Sequence, residues 1–231
     1  MIDFHSHVLP AIDDGSQDME ETRQLIAEGY RQGVTCQVAT PHFYADRDSY
    51  HKFIGERAEK YRQMKEELEA VEHPAFRLGA EVHYFTGIGD ADILDSLCIE
   101  GTNVLLLEMP FIQWDDAVYK DVKKIVEKRK LTVLLAHIER YYDFQKNKSV
   151  WKDILELPLY IQINTGSFLN RKKKKFVLKF LKKYDNVVLG SDCHNMERRP
   201  PNLAEGRQVI AEKLGEQRLE QIDELGKRIL N

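Results

Sequence analysis

Short apolar runs alternate with longer amphipathic segments along this chain, and the alternation recurs about seven times. Residues 34–39, 103–109 and 132–136 are rich in leucine and β-branched side chains and stop at turn-forming or polar residues, the pattern of strands buried on both faces. Residues 1–4, 76–79, 160–163 and 187–189 repeat the pattern more briefly. Between them lie segments with helical spacing. Asp18 stands three residues before Glu21 as a capping box, and Leu25, Ile26 and Tyr30 then share one face of a first helix. Residues 48–72, 116–129, 171–184 and 202–230 are further predicted helices. No linker rich in Pro, Gly or Ser interrupts the series, and no internal repeat is present. The alternation predicts a parallel α/β architecture in a single domain, 1–231, with a barrel of about seven βα units favoured over an open sheet.

The residues that end the predicted strands carry the chemistry. His5 and His7 follow the first, His42 the second, Glu81 the third, Glu108 the fourth, His137 the fifth, and Asp192 and His194 the last. In a parallel barrel every strand C-terminus opens onto one face, where active sites are built. Residues of metal-ligand type therefore converge there from six separate stretches of chain, and Asp14 adds a ninth. Each alone has an ordinary reading, a hydrogen-bonded loop histidine or a buried ion-pair carboxylate. Together they resist it. Glu108 ends the run Leu105-Leu106-Leu107, where an unpaired carboxylate is expensive to bury, and divalent cations supply the compensating charge. His5 and His7 lie two apart, as do Asp192 and His194, so each pair faces one side of an extended chain. Imidazoles mixed with carboxylates, without thiolate, suit Mn²⁺, Zn²⁺ or Fe²⁺ and disfavour an all-oxygen Ca²⁺ site.

Composition narrows the class. The 231 residues, 42% hydrophobic and 31% charged, hold enough apolar material for a substantial core. With 34 Lys+Arg against 38 Asp+Glu, the formal net charge of −4 argues against a dedicated nucleic-acid partner. Three cysteines, at 36, 98 and 193, cannot all pair and show no CxxC spacing, which points to a reducing compartment. The first residues lack a basic-then-apolar leader pattern and no apolar run reaches about 18 residues, so a cytoplasmic protein without stable membrane insertion is expected.

The ordered set His5-x-His7, Asp14-Gly15, Thr40-Pro41-His42, Gly79-Ala80-Glu81, Glu108, His137-x-x-Arg140 and Ser191-Asp192-x-His194-Asn195 resembles the motifs of the polymerase and histidinol phosphatase (PHP) superfamily. The opening Ile2-Asp3-Phe4-His5-Ser6-His7-Val8-Leu9-Pro10, with Asp13-Asp14-Gly15 and the later Arg199-Pro200-Pro201, is more closely similar to the CpsB/YwqE-type bacterial protein-tyrosine phosphatases of capsule and exopolysaccharide loci. The likeness spans residues 1 to about 205; Cys193 departs from the small residue usual at its position. It implies a distorted TIM-like (β/α)7 barrel with three divalent metal ions, manganese first, with Fe²⁺ or Zn²⁺ as alternatives. By motif, His5, His7, Glu81 and Asp192 hold one ion, Glu81 bridges to a second held by Glu108 and His137, and Asp14, His42 and His194 hold the third. The implied reaction is hydrolysis of phosphotyrosine by a metal-bridging hydroxide. The implied partner is an autophosphorylated bacterial tyrosine kinase with a tyrosine-rich tail.

Arg140 and Arg199 are the candidate phosphate ligands, because a guanidinium matches a phosphate bidentately. A tyrosine leaving group has a pKa of about 10 and needs little acid help; His42 or His194, if free of metal, is the candidate donor. Phe43, Tyr44, Phe85, Phe111, Trp114, Tyr141 and Tyr142 are candidates for the pocket wall or for plain core packing. Arg171 and the four lysines after it head an amphipathic helix, a solvated outer face or an attractor for acidic tails or anionic membranes.

Three rivals remain. Cys193 and Arg199 match the C-x5-R signature of cysteine-dependent phosphatases, but the residues between contain no glycine and include Glu197, and Asp192 beside the thiol opposes its ionisation. A PHP-type small-molecule phosphatase, histidinol-phosphate-like, or a nuclease keeps the metals and changes the substrate. A non-catalytic metal module is the third, and nine filled ligand positions argue against it.

Overall fold

The computed structural model describes residues 1–231. Nine strands, all parallel to their neighbours, build the interior: β1 (Ile2–Ser6), β2 (Cys36–Ala39), β3 (His42–Phe43), β4 (Ala75–Leu78), β5 (Glu81–His83), β6 (Val104–Glu108), β7 (Thr132–Leu135), β8 (Tyr160–Asn164) and β9 (Val187–Gly190). They fall into sheets β1-β2-β4 and β3-β5-β6-β7-β8-β9. The two join because β3 continues β2 past Thr40-Pro41 and β5 continues β4 past Gly79-Ala80, with Gly79 N–H donating to Ala39 O (2.8 Å) and Glu81 N–H to Pro41 O (3.0 Å) across the breaks. Seven staves result. The circle closes between β1 and β9, where Asp192 N–H donates to His5 O (2.7 Å) and His7 N–H to Cys193 O (2.9 Å). The chain is thus an α/β barrel of seven staves.

Eight helices surround it: α1 (Met19–Arg31), α2 (Tyr50–Leu68), α3 (Asp116–Glu127), α4 (Ser149–Leu155), α5 (Gly166–Leu169), α6 (Lys174–Lys183), α7 (Leu203–Leu214) and α8 (Glu216–Leu230). Asp18 caps α1 by accepting from Glu21 N–H, while the returning Glu21 carboxylate takes the N–H of Gln17. Tyr30 is exposed, contrary to the predicted apolar face; Thr22 and Gly29 share the buried side with Leu25 and Ile26. The single helix predicted for 202–230 is two, because Gly215 at φ +88° takes a conformation that ends a helix and lets the chain turn. Helix α4 was not among the predicted elements; it buries Val150, Trp151, Ile154 and Leu155, too short a run to read as periodic.

Strand periodicity decides what enters the barrel. Leu105 and Leu107, Val133 and Leu135, Ile161 and Ile163, and Val187 and Leu189 point outward into the layer shared with the helices. Val104, Leu106, Leu134 and Val188 point inward with Phe4 and Val38, and Leu225, Ile229 and Leu230 of α8 pack onto them. Continuing the inward parity brings Glu108, Gln162, Asn164 and Asp192 to the top. In β1 the register shifts between Asp3 and Ser6, which carries the parity from Phe4 over to His5 and His7.

Gly190 makes the closure possible. A Cβ there would lie 2.7 Å from both His5 Cβ and Gln162 Nε2. Gly190→Ala is therefore expected to destabilise the fold by about 1–3 kcal/mol, the usual cost of overpacking, read as a lowered urea midpoint at unchanged m. A midpoint equal to wild type would show that β1 can retreat freely.

Candidate metal centre

Glu81 is the hub. It is fully buried, and its Oε2 lies 3.0 Å from His5 Nε2, 3.2 Å from His7 Nε2 and 3.1 Å from His42 Nδ1; Oε1 lies 2.8 Å from His137 Nε2. Glu108 reaches the same imidazole, with Oε1 3.4 Å from His137 Nε2. Asp192 Oδ1 stands 3.5 Å from His5 Nε2 and 3.4 Å from His7 Nε2. Asp14 is exposed and looks in from the rim, its Oδ1 3.5 Å from His42 Nε2 and 3.4 Å from His194 Nε2. All nine side chains singled out by the sequence thus stand in one cluster at the strand C-termini. Glu81 and His42 begin the short strands β5 and β3 instead of ending β4 and β2, because each of those staves breaks just before them.

The donor atoms fit cations better than they fit one another. His42 Nδ1, Glu81 Oε2 and His194 Nε2 are buried and take part in no hydrogen bond, although other donor atoms stand close by. His5 Nε2 and His7 Nε2 face each other at 3.1 Å. Ligands held at about 2.0–2.2 Å by one ion lie about 3 Å apart, the spacing seen here. Three subsets converge in this way: His5, His7, Glu81 and Asp192; His7, Asp14, His42 and His194; and His42, Glu81 and Glu108. His7, His42 and Glu81 are each shared between two subsets.

Electrostatics tie the carboxylates and imidazoles of the cluster to one another. Burial alone would raise the Glu81 carboxyl, yet the imidazoles of His5 and His42 hold it well below the usual carboxylate range. Glu108 opposes its own burial through hydrogen bonds with His137 and His83 and is held down to about 2. Burial pushes His42 and His194 below the ordinary histidine value, which favours the neutral, ligating form. His137 resists burial and the nearby Arg140 because Glu108 and Glu81 accept from it, and rises to about 9. His137 and Asp192 sit at φ +27° and +54°; non-glycine residues there cost about 1–3 kcal/mol each, strain of the kind that collects at functional sites.

A supporting ring of polar residues escaped the sequence reading. Asp13 Oδ2 pairs with His7 Nδ1 at 2.7 Å and accepts from His42 N–H at 3.0 Å, while its Oδ1 accepts from Gly15 N–H. Gln162 Oε1 faces His5 Nδ1 at 3.1 Å and accepts from His137 N–H at 2.6 Å; its amide donates to Asn164, which donates to Asp192 Oδ2 at 2.7 Å. Asp3 accepts from Ser191 N–H and Oγ across the closure, and burial raises its carboxyl to about 6. His83 Nδ1 lies 2.7 Å from Glu108 Oε2. The available signal was polar residues at alternate positions of the otherwise apolar β8, and an acid immediately before Asp14. Asp13→Asn is expected to weaken metal binding by 10–100-fold, since it loosens both His7 and the His42 backbone. Titration of the metal-stripped protein by calorimetry checks this, and an unchanged affinity would relegate Asp13 to loop packing.

Both candidate arginines converge on one carboxylate: an Arg140 Nη lies 2.5 Å from Asp192 Oδ2 and an Arg199 Nη 2.6 Å from Asp192 Oδ1. Among the candidate aromatics, Phe43, Trp114 and Tyr141 are core, the first against Phe53 and the other two against each other. Tyr141 Oη accepts from Met109 N–H, and Phe85 packs at the edge of the main core. Tyr44 lies 5.2 Å ring to ring from His42, and Phe111 6.1 Å from His137, so these two wall the site; Tyr142 lies further along the rim.

Cys193 is wholly buried among Val8, Leu9, Leu25 and Ala39, and burial pushes its thiol up to about 12. Arg199 faces Asp192, so the C-x5-R segment forms no phosphate loop. Cys193→Ala is expected to keep activity within about threefold while costing about 1 kcal/mol of stability through the lost sulfur; inactivation of a folded variant would reinstate the thiol.

Residues 1–227 match the family described as capsular polysaccharide synthesis, CpsB/CapC. The chain is 32% identical, over 96% of its length and 94% of the relative's, to the tyrosine-protein phosphatase CpsB of Streptococcus agalactiae serotype III strain NEM316. Its fold is similar, with a TM-score of 0.83 and 22% identity over 100% of this chain and 94% of the other, to the crystal structures of YwqE from Bacillus subtilis and CpsB from Streptococcus pneumoniae, described as unique metal-dependent tyrosine phosphatases. Histidinol phosphate phosphatase from Lactococcus lactis, solved with zinc, L-histidinol and phosphate, shares the fold more distantly, with a TM-score of 0.58 and 13% identity over 92% of this chain and 93% of that one.

Proposed function

We propose a substrate and a chemistry for this chain from the premise that it belongs to the CpsB/CapC family: it is a metal-dependent protein-tyrosine phosphatase of capsular polysaccharide synthesis. The observation that carries the reading is Glu81, a buried carboxylate with four imidazole nitrogens within 3.2 Å and an Oε2 that forms no hydrogen bond.

We assign three divalent ions, manganese by preference. His5, His7, Glu81 and Asp192 would hold one, Glu81, Glu108 and His137 a second, and Asp14, His42 and His194 a third. When bound, such ions neutralise phosphoryl charge and supply a water of lowered pKa at neutral pH. The remaining steps fall to the chain itself. Arg140 and Arg199 already reach a single carboxylate from two sides, and a phosphoryl group presented beside Asp192 offers them a dianion to hold bidentately. Tyr44, beside His42, and Phe111, beside His137, give the phenol ring aromatic walls. A phenolate departs with little proton donation, which leaves His42 and His194 to serve as ligands. The substrate fitting the family context is an autophosphorylated tyrosine kinase. No helix of the protein is long and apolar enough to cross a membrane.

Turnover of a phosphotyrosyl peptide, histidinol phosphate and a single-stranded oligonucleotide, each with Mn²⁺ and with chelator, tests the assignment. Metal-dependent preference for the peptide is expected. Equal or better hydrolysis of either alternative would overturn it in favour of a small-molecule phosphatase or nuclease.

A further inference from the structure

Charge is distributed unevenly on this chain. Eleven of its 34 basic residues but only two of its 38 acidic ones fall between positions 146 and 183. In and beside that region, the stretches 142–148 and 169–175 are parts of the connections that follow β7 and β8, and in a parallel barrel such connections start on the face that carries the metal cluster. The two stretches hold Lys146, Lys148, Arg171 and the four lysines 172–175 against one carboxylate, Asp143. None of these seven cations forms an ion pair, whereas Arg140 and Arg199 nearby do.

The placement is unfavourable for the fold itself. Lys174 and Lys175 occupy the first turn of α6, which contains no acidic residue, and cations at a helix N-terminus oppose its dipole. Exposed apolar side chains gather on the same side of the barrel mouth: Ile112 after β6, Tyr142 and Phe144 after β7, Leu169 after β8 and Met196 after β9. They connect to the site through Phe111, whose ring lies 5.8 Å from Phe144 and 6.1 Å from His137. From this rim a cleft of about 170 Å³ descends between α4 and α6, walled by Tyr142, Trp151, Phe176 and Phe180 with Lys179 and Lys183 at its lip.

Resting on the phosphotyrosine reading above, we propose that this rim is a docking surface for the protein substrate and selects phosphotyrosines flanked by acidic residues. The unpaired cations meet the flanking carboxylates, and the aromatic cleft takes one apolar side chain of the same segment. A concave aromatic cleft entered past Tyr142 suits an extended peptide. A lipid surface pressed on this face would cover the site and keep a protein substrate from it.

The test compares two phosphotyrosyl peptides, identical except for four flanking glutamates in one and four serines in the other, together with free phosphotyrosine. The proteins are the metal-loaded wild type and a triple variant, Lys172→Gln, Lys174→Gln and Lys175→Gln. Wild type is expected to show a KM about tenfold lower for the acidic peptide, a preference that shrinks in 1 M salt. The variant should lose that preference, keep its kcat/KM on free phosphotyrosine within twofold, and melt no lower than wild type because the dipole conflict is relieved. Equal KM values in wild type, or an undiminished preference in the variant, would overturn the proposal. Sedimentation with anionic phosphatidylglycerol vesicles without a peptide preference would assign the rim to lipid and overturn it equally. If no phosphotyrosine substrate is turned over, the activity assignment fails separately, and fluorescence anisotropy of the two labelled peptides still decides the docking claim by the same tenfold criterion.

Discussion

Replacing Glu81 by glutamine is expected to lower kcat on a phosphotyrosyl peptide by about 10³-fold, corresponding to several kcal/mol of lost charge stabilisation at the reacting phosphate. Glutamine keeps the shape of the side chain but removes the charge that faces His5, His7, His42 and His137 at 2.8–3.2 Å. The same variant has a second readout that is independent of turnover. Ions present at a hundred times their dissociation constant stabilise a folded protein by about 2.7 kcal/mol per site, or about 5–10 °C in melting temperature for a chain of this size. Wild type should show that upward shift on adding Mn²⁺ to chelated protein, and Glu81→Gln should lose most of it. A variant that retains activity within tenfold of wild type and the full thermal shift would remove Glu81 from the centre of the site.

Arg140→Ala should reduce kcat/KM by about 10²–10³, the usual loss when one preorganised donor to the transition state is removed. Arg140→Lys should recover little of it, since an ammonium cannot make the paired planar contacts of a guanidinium. Because the Arg140 guanidinium also lies against Asp192 Oδ2, the substitution could act indirectly through that carboxylate. The two explanations separate by metal affinity: a phosphate contact leaves calorimetric Mn²⁺ binding within about threefold of wild type, whereas a positioning role lowers it as Asp13→Asn does. An unaltered kcat/KM would exclude Arg140 from substrate binding.

Much of this site could be read from the chain because its ligands obey strand periodicity. His5 with His7 and Asp192 with His194 repeat at two residues, and Glu108 ends a run too apolar to hold a carboxylate without compensation. What could not be read involved partners distant in sequence. Tyr30 has the spacing of a buried residue, yet it is exposed. Asp13 and Asp14 are chemically alike and adjacent; only the fold directs Asp13 inward to His7 Nδ1 and leaves Asp14 at the rim. Gln162 lies in a strand with nothing local to mark its role, and only the approach of β8 to β1 sets it against His5. The arginines were proposed for their chemistry, and their shared target on Asp192 emerged only when the loops after β7 and β9 met.

By itself the sequence determined the strand–helix alternation, the parallel barrel and the set of nine candidate ligands. These depend on residue type and on periods of 2 and 3.6 along the backbone, which are local properties. Tertiary structure alone decided the break of two staves before His42 and Glu81, the ring of supporting residues and the placement of an unpaired basic rim. Each of these depends on closing the barrel between Ser6 and Cys193, where a register shift in β1 and the absence of a side chain at Gly190 bring distant residues within hydrogen-bonding distance. No local periodicity encodes such a contact.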